Sequence, residues 1–160
     1  MAMLRLLLLF LVLSACDTVG ADAPPVADAP AWDAMLNAVN DVRAEGATCG
    51  SQWHAPARPL VWDARLERAA RHHAQDMAEH DHFAHRGTDG SRTGERVRRV
   101  GYDWRIVGEN LARHQTSVRQ VIGDWLESPS HCRQLLSPEM LEIGAAEVEG
   151  YWTQVFAVAR

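Results

Sequence analysis

Apolar residues Trp32, Met35, Leu36, Val39 and Val42 recur at three- and four-residue spacing and are followed by Gly46, which predicts a helix over 31–45. The same period returns at Leu66, Ala69, Ala70, His73, Ala74 and Met77, so a long second helix faces inward through His73, turns His72 and Glu79 away, and takes Asp63 as its N-cap. Val118, Val121, Ile122, Trp125 and Leu126 mark another helix, capped by Ser117 and stopped by Pro129. Less regular stretches lie between these. Residues 47–59 mix Gly, Pro and polar side chains without a period and read as a loop, and 87–94 are rich in turn formers. A short helix over 95–100 ends at Gly101, 102–107 are extended until Gly108-Glu109-Asn110 interrupts them, and 130–136 add a short helical turn. Two β-rich runs, 141–148 and 151–159, meet at Glu149-Gly150 and predict a hairpin. Helices early and a small antiparallel sheet late predict an α+β domain with helices packed on the sheet.

The first residues set the compartment. Arg5 precedes an unbroken apolar run, 6–13, which suits a signal-peptide core and is too short to span a bilayer. Leu13-Ser14-Ala15-Cys16 looks like a bacterial lipobox, so 1–15 read as a lipoprotein signal peptide and Cys16 as a lipidated N-terminus; the plainer alternative is an ordinary secretory leader with an incidental cysteine. Residues 16–31, rich in Asp, Pro and Ala, form a tether, and one globular domain occupies 32–160. This places the domain at the cell envelope, on the periplasmic or extracellular face, with the membrane as a partner through the lipid. A net charge of -5 at pH 7 and a complete lack of lysine argue against a nucleic-acid partner.

Once the leader is removed, Cys49 and Cys132 stand 83 residues apart in an oxidising compartment, and a disulfide is the default reading. Two buried thiols, or a thiol nucleophile at Cys132 beside His131, are the alternatives. Eight histidines invite a search for metal or acid–base chemistry. His72 and His73 are consecutive on a helix and cannot share a face. His80, His82 and His85, with Asp81, cluster after that helix, but at no spacing that marks a metal site by itself. Glu109 is a carboxylate set in apolar sequence, so it needs partners or a raised pKa. Arg96, Arg98 and Arg99 read as a solvated face, with an acidic wall polymer or lipid headgroup as the alternative contact. Trp62, Trp125, Trp152 and Phe156 read as core.

In chain order, Phe83-Ala84-His85, Asp89-Gly90, Gly101-Tyr102, Gly108-Glu109-Asn110-Leu111-Ala112, the run from Trp125 through Ser128-Pro129-Ser130 to His131, Glu142-Ile143-Gly144 and Trp152-Thr153-Gln154 resemble the signatures of the CAP superfamily. That superfamily groups cysteine-rich secretory proteins, antigen 5 and pathogenesis-related proteins, and the motifs are most similar to its short bacterial SCP-like extracellular members. The resemblance implies a three-layer α-β-α sandwich around a small central antiparallel sheet, with a surface cleft lined by histidines and glutamates. Carried over by motif, His85, Glu109 and His131 line that cleft and are the candidates for holding a divalent cation such as zinc, or for catalysis. The second glutamate of animal and plant members falls here on Ser128, and the neighbouring Glu127 points elsewhere on its helix. Asn110 is expected to anchor its segment through its amide. Three functions follow: a module binding an envelope lipid, glycan or divalent metal; a metal-dependent hydrolase of peptide or cell-wall material; or a non-catalytic scaffold.

Overall fold

The computed structural model describes residues 31–160, so the leader, Cys16 and the tether lie outside the described residues. Along the chain run α1 (Ala31–Glu45), β1 (Ala47–Cys49), β2 (Gln52–His54), β3 (Val61–Trp62), α2 (Ala64–His80), α3 (Thr93–Arg99), β4 (Trp104–Arg113), α4 (Val118–Glu127), α5 (Pro129–Leu135), β5 (Glu142–Val148) and β6 (Tyr151–Ala159). No helix among the described residues is long and apolar enough to cross a membrane.

β3, β5, β6 and β4 form one sheet in that order. β6 pairs antiparallel with both neighbours, whereas β3 runs parallel to β5, so the sheet is mixed at one edge where a purely antiparallel one was expected. The parallel strand is only two residues long because Asp63 at once turns the chain into α2. Its carboxylate accepts the N–H groups of Arg65 at 2.7 Å and Leu66 at 3.3 Å, which satisfies two of the helix's free donors.

Both faces of the sheet are covered. α2 and α3 close over Val155, Ala157 and Ala146 with Leu66, Ala69, Ala70 and Val97, while α1, α4 and α5 cover Phe156, Val158 and Ile143 with Met35, Val39, Ile122, Trp125 and Leu135. Successive β6 residues therefore feed opposite cores, as the two-residue period of a strand requires. The predicted inward stripe of α2 is buried throughout, His73 included. α2 lies directly on β5 at Gly144, where a β-carbon would collide with the backbone of Leu66 and Glu67.

Two sequence expectations change. The stretch 47–59 contains the β1–β2 hairpin, whose short and mostly exposed strands carry no hydrophobic pattern. It is held by tertiary ties: the Cys49–Cys132 disulfide (S–S 2.01 Å, Cα–Cα 5.4 Å) joins it to α5, and the fully buried Arg43 guanidinium donates to the carbonyls of Arg58, Leu135, Ser137 and Met140 at 2.7–3.3 Å. The thiol-nucleophile reading of Cys132 ends with that bond. Secondly, Gly108-Glu109-Asn110 does not interrupt a strand. β4 passes straight through it, with Gly108, Glu109 and Asn110 opposite Phe156, Val155 and Gln154, because partners from both helical layers satisfy the polar side chains.

Candidate functional site

β4 is an edge strand, and its pleat sends alternate side chains to opposite layers. Asn110 faces α5, where its amide donates to the His131 carbonyl and to Gln154 Oε1, each at 3.3 Å. The amide thus anchors a neighbouring helix to the strand. Gly108 makes room on the same side for the Gln134 side chain. Glu109 faces α2 and α3, and its side chain is 3% exposed.

Three groups meet the Glu109 carboxylate. His85 Nδ1–H donates to Oε1 at 2.8 Å, Arg96 Nη2 donates to Oε2 at 2.7 Å, and His73 Nε2 lies 3.9 Å from Oε1. Burial pushes the Glu109 pKa up, but hydrogen bonds from His85 and Arg96 and the nearby positive charge outweigh it and hold it below the ordinary carboxylate value. Arg96 also donates to the carbonyls of Ser91 at 3.0 Å and His85 at 3.1 Å. The expectation of a solvated arginine face fails at Arg96, which is buried against Glu109, while Arg98 stacks on Trp104 and Arg99 pairs with Asp89. No local pattern in Arg-Val-Arg-Arg distinguishes the one that turns inward.

His73 is buried, and its Nε2–H donates to the Ala84 carbonyl at 2.9 Å, which fixes the segment immediately before His85. Nδ1 of the same ring has no hydrogen-bond partner among the described residues. Because a carbonyl can only accept, the neutral ring carries its proton on Nε2. The rest of the histidine cluster disperses: His80 contacts the Asp76 carbonyl, His82 the Arg86 carbonyl, and Asp81 accepts the Tyr151 hydroxyl. His131 enters from α5, close enough that a positive charge on His85 lowers its pKa further after burial has done so. His85 stands on the α2 side of the sheet edge, against Glu109, and His131 on the α5 side, where its carbonyl meets Asn110.

With Nδ1 committed to Glu109, Nε2 is the ring nitrogen of His85 left for an outside partner, on a side chain that is 61% exposed. A carboxylate behind an imidazole is the arrangement that orients histidine ligands and histidine bases alike. Both Glu109 oxygens are engaged, by His85 and Arg96, which leaves the carboxylate buried behind the His85 ring. Among the described residues, no group of three or more His, Cys, Asp or Glu side chains is placed to hold an ion. Ser128 Oγ and Ser130 Oγ contact each other at 3.3 Å, and no histidine is hydrogen-bonded to either. Glu127 is exposed on α4 and stays outside this group. Trp125 and Phe156 are core as expected, and Trp62 and Trp152 are half-buried, packing against that core while also lining a cavity.

The titrations have a defined sign. His73 and His131 both have pKa values lowered from 6.5, chiefly by burial, so the unfolded chain binds their protons first as pH falls. Their contribution is complete above pH 6.5 and declines below it. The depressed Glu109 pKa adds a second loss below its ordinary 4.5. Thermal melts from pH 8 to pH 3 are expected to show both declines, and His73→Phe should flatten the first; an unchanged first decline in that variant would remove His73 from the account.

A helix–sheet–helix sandwich with a bridged hairpin and a carboxylate-backed histidine, His85, on its sheet edge defines the α-β-α class implied by the motifs. The chain belongs to the CAP, or cysteine-rich secretory protein, family, whose model matches residues 36–158. It is 31% identical over 101 residues to YkwD, an uncharacterized protein of Bacillus subtilis, a match covering 62% of this chain and 39% of that protein. Among solved structures it resembles an extracellular SCP-domain protein of Bacillus anthracis (TM-score 0.71, 22% identity, covering 79% of this chain and 39% of that one). An outer surface protein of Borrelia burgdorferi is similarly folded (TM-score 0.68, 19% identity, covering 80% and 92%).

Proposed function

We propose that this CAP domain is an extracytoplasmic binding module, anchored to the envelope through a lipidated Cys16, that holds a divalent cation, or an envelope ligand through one, at His85 and His131. The observation that carries the reading is the His85–Glu109 hydrogen bond: it leaves Nε2 for an outside partner while a second imidazole, biased toward its neutral form, stands nearby. Two imidazoles suit zinc, which would polarise a ligand oxygen bound beside them. The buried disulfide agrees with an oxidising compartment. Hydrolysis has less support, since Cys132 is bridged and neither serine beside His131 is hydrogen-bonded to an imidazole.

Calorimetric titration of the purified full-length protein in detergent with zinc and with cobalt tests this directly. One ion per chain is expected, with uptake lost in His85→Ala and in His131→Ala, and weakened roughly 10- to 100-fold in Glu109→Gln, which loses the orienting charge. Intact mass of the same preparation should show acylation at Cys16. Absence of ion uptake would leave the three residues as direct ligand contacts or as architecture.

A further inference from the structure

β5 is seven residues long, but β3 accompanies it only at Val61↔Glu142 and Trp62↔Ile143. Hydrogen bonds on either side show which way the remaining backbone faces. Val61 N–H donates to the Leu141 carbonyl and Asp63 N–H to the Ile143 carbonyl, so odd-numbered residues of β5 turn toward the β3 side. On the far side of β6, His114 N–H donates to the Gly150 carbonyl, which leaves Tyr151 to pair with Val148 and even-numbered β5 residues to bond β6. Ala145 and Glu147 therefore aim N–H and C=O outward beyond the end of β3, and no hydrogen-bond partner meets those groups among the described residues.

That bare edge opens on a cavity of about 270 Å³ lined by Ala145, Ala146, Glu147, Trp32, Trp62 and Trp152. Trp62 Nε1–H already donates to Glu67 and Trp152 Nε1–H to the Gln115 carbonyl, so these two indoles offer their apolar faces to an occupant. Glu67 is paired with Arg71 at 2.8 Å, whereas the exposed Glu147 carboxylate meets the Gly150 N–H and no cation among the described residues. Alternating N–H and C=O groups at strand spacing are matched by another extended backbone; a sugar or an acyl chain does not supply both at that repeat.

We propose that this edge, on the opposite side of the sheet from Glu109, docks an extended peptide supplied by another molecule. The peptide continues the sheet where β3 stops, bonds Ala145 and Glu147, seats an apolar side chain among the three tryptophans and sets a basic group beside Glu147.

The test follows the amide resonances of Ala145 and Glu147 in the ¹⁵N-labelled full-length protein in detergent as acetyl-Val-Thr-Lys-Thr-amide, which puts Val and Lys on one face of a strand, is added. Saturable shifts and slowed hydrogen exchange at both amides are expected. Methylating alternate peptide nitrogens should weaken binding at least about tenfold, the scale of one lost hydrogen bond. Glu147→Pro, which deletes an outward N–H and leaves the bonds to β6, should do the same, with Glu147→Ala losing less. Three results would each overturn the proposal: no saturable shift at millimolar peptide, equal binding of the N-methylated peptide, or peptide-free contacts from Ala145 and Glu147 to residues 17–30 or to a second copy. The N-methylated arm holds even if Glu147→Pro fails to fold.

Discussion

Replacing Cys49 and Cys132 together with alanine is expected to lower the melting temperature by roughly 10–20 °C, from a stability loss of about 4–5 kcal/mol. The bridge closes an 83-residue loop, and on the chain-entropy model that length restricts the unfolded ensemble by about this amount. The folded side adds to the cost. Both cysteines are almost fully buried and pack with Leu136 and the partly buried Val42, Ala47 and Leu126, so the alanines leave space beneath the hairpin. Since α5 carries His131 next to Cys132, the variant should lose ion uptake at His131 before it loses the His85–Glu109 hydrogen bond. Thermal melts and titrations of the two proteins check both statements, and an unchanged melting temperature would contradict the first.

Arg96→Ala is the second large effect, with an expected loss of about 3–5 kcal/mol. Both partners are nearly dry, the side chains of Arg96 and Glu109 being 8% and 3% exposed, and deleting the guanidinium leaves a carboxylate that water cannot reach. The Glu109 pKa, now held down in part by Arg96, should rise toward its ordinary 4.5, so the loss of stability below pH 4.5 becomes smaller than in the natural protein. The loop before α3 loses two anchors as well, at the Ser91 and His85 carbonyls. Arg96→Met combined with Glu109→Leu is expected to cost less than Arg96→Ala, because no charge is then left buried without its partner. Urea denaturation of the three proteins measures this directly. A double variant less stable than the single would mean that shape, rather than charge, sets the cost at this position.

Arg96 also marks where reading the chain falls short. Its neighbours Arg98 and Arg99 have the same composition and lie on the same short helix, yet only Arg96 meets a carboxylate that arrives from the edge strand of the sheet. The Glu109 position was legible as a carboxylate in apolar surroundings that required partners. Which partners it finds depends on how three separate elements come together. His73 is a middle case: the helical stripe places it inward, but its grip on the Ala84 carbonyl depends on how the following loop returns.

The helices, their caps, the closing hairpin and the cysteine pair were determined by the sequence itself, because each rests on short-range periodicity, a local hydrogen bond or the number of thiols available. The motif order likewise carried the family. Only the tertiary structure decided the β1–β2 hairpin, the unbroken course of β4, the inward turn of Arg96 and the bare edge of β5. Each of those is settled by contacts between residues far apart in the chain, where burial and hydrogen-bond satisfaction across layers outweigh what neighbouring residues prefer.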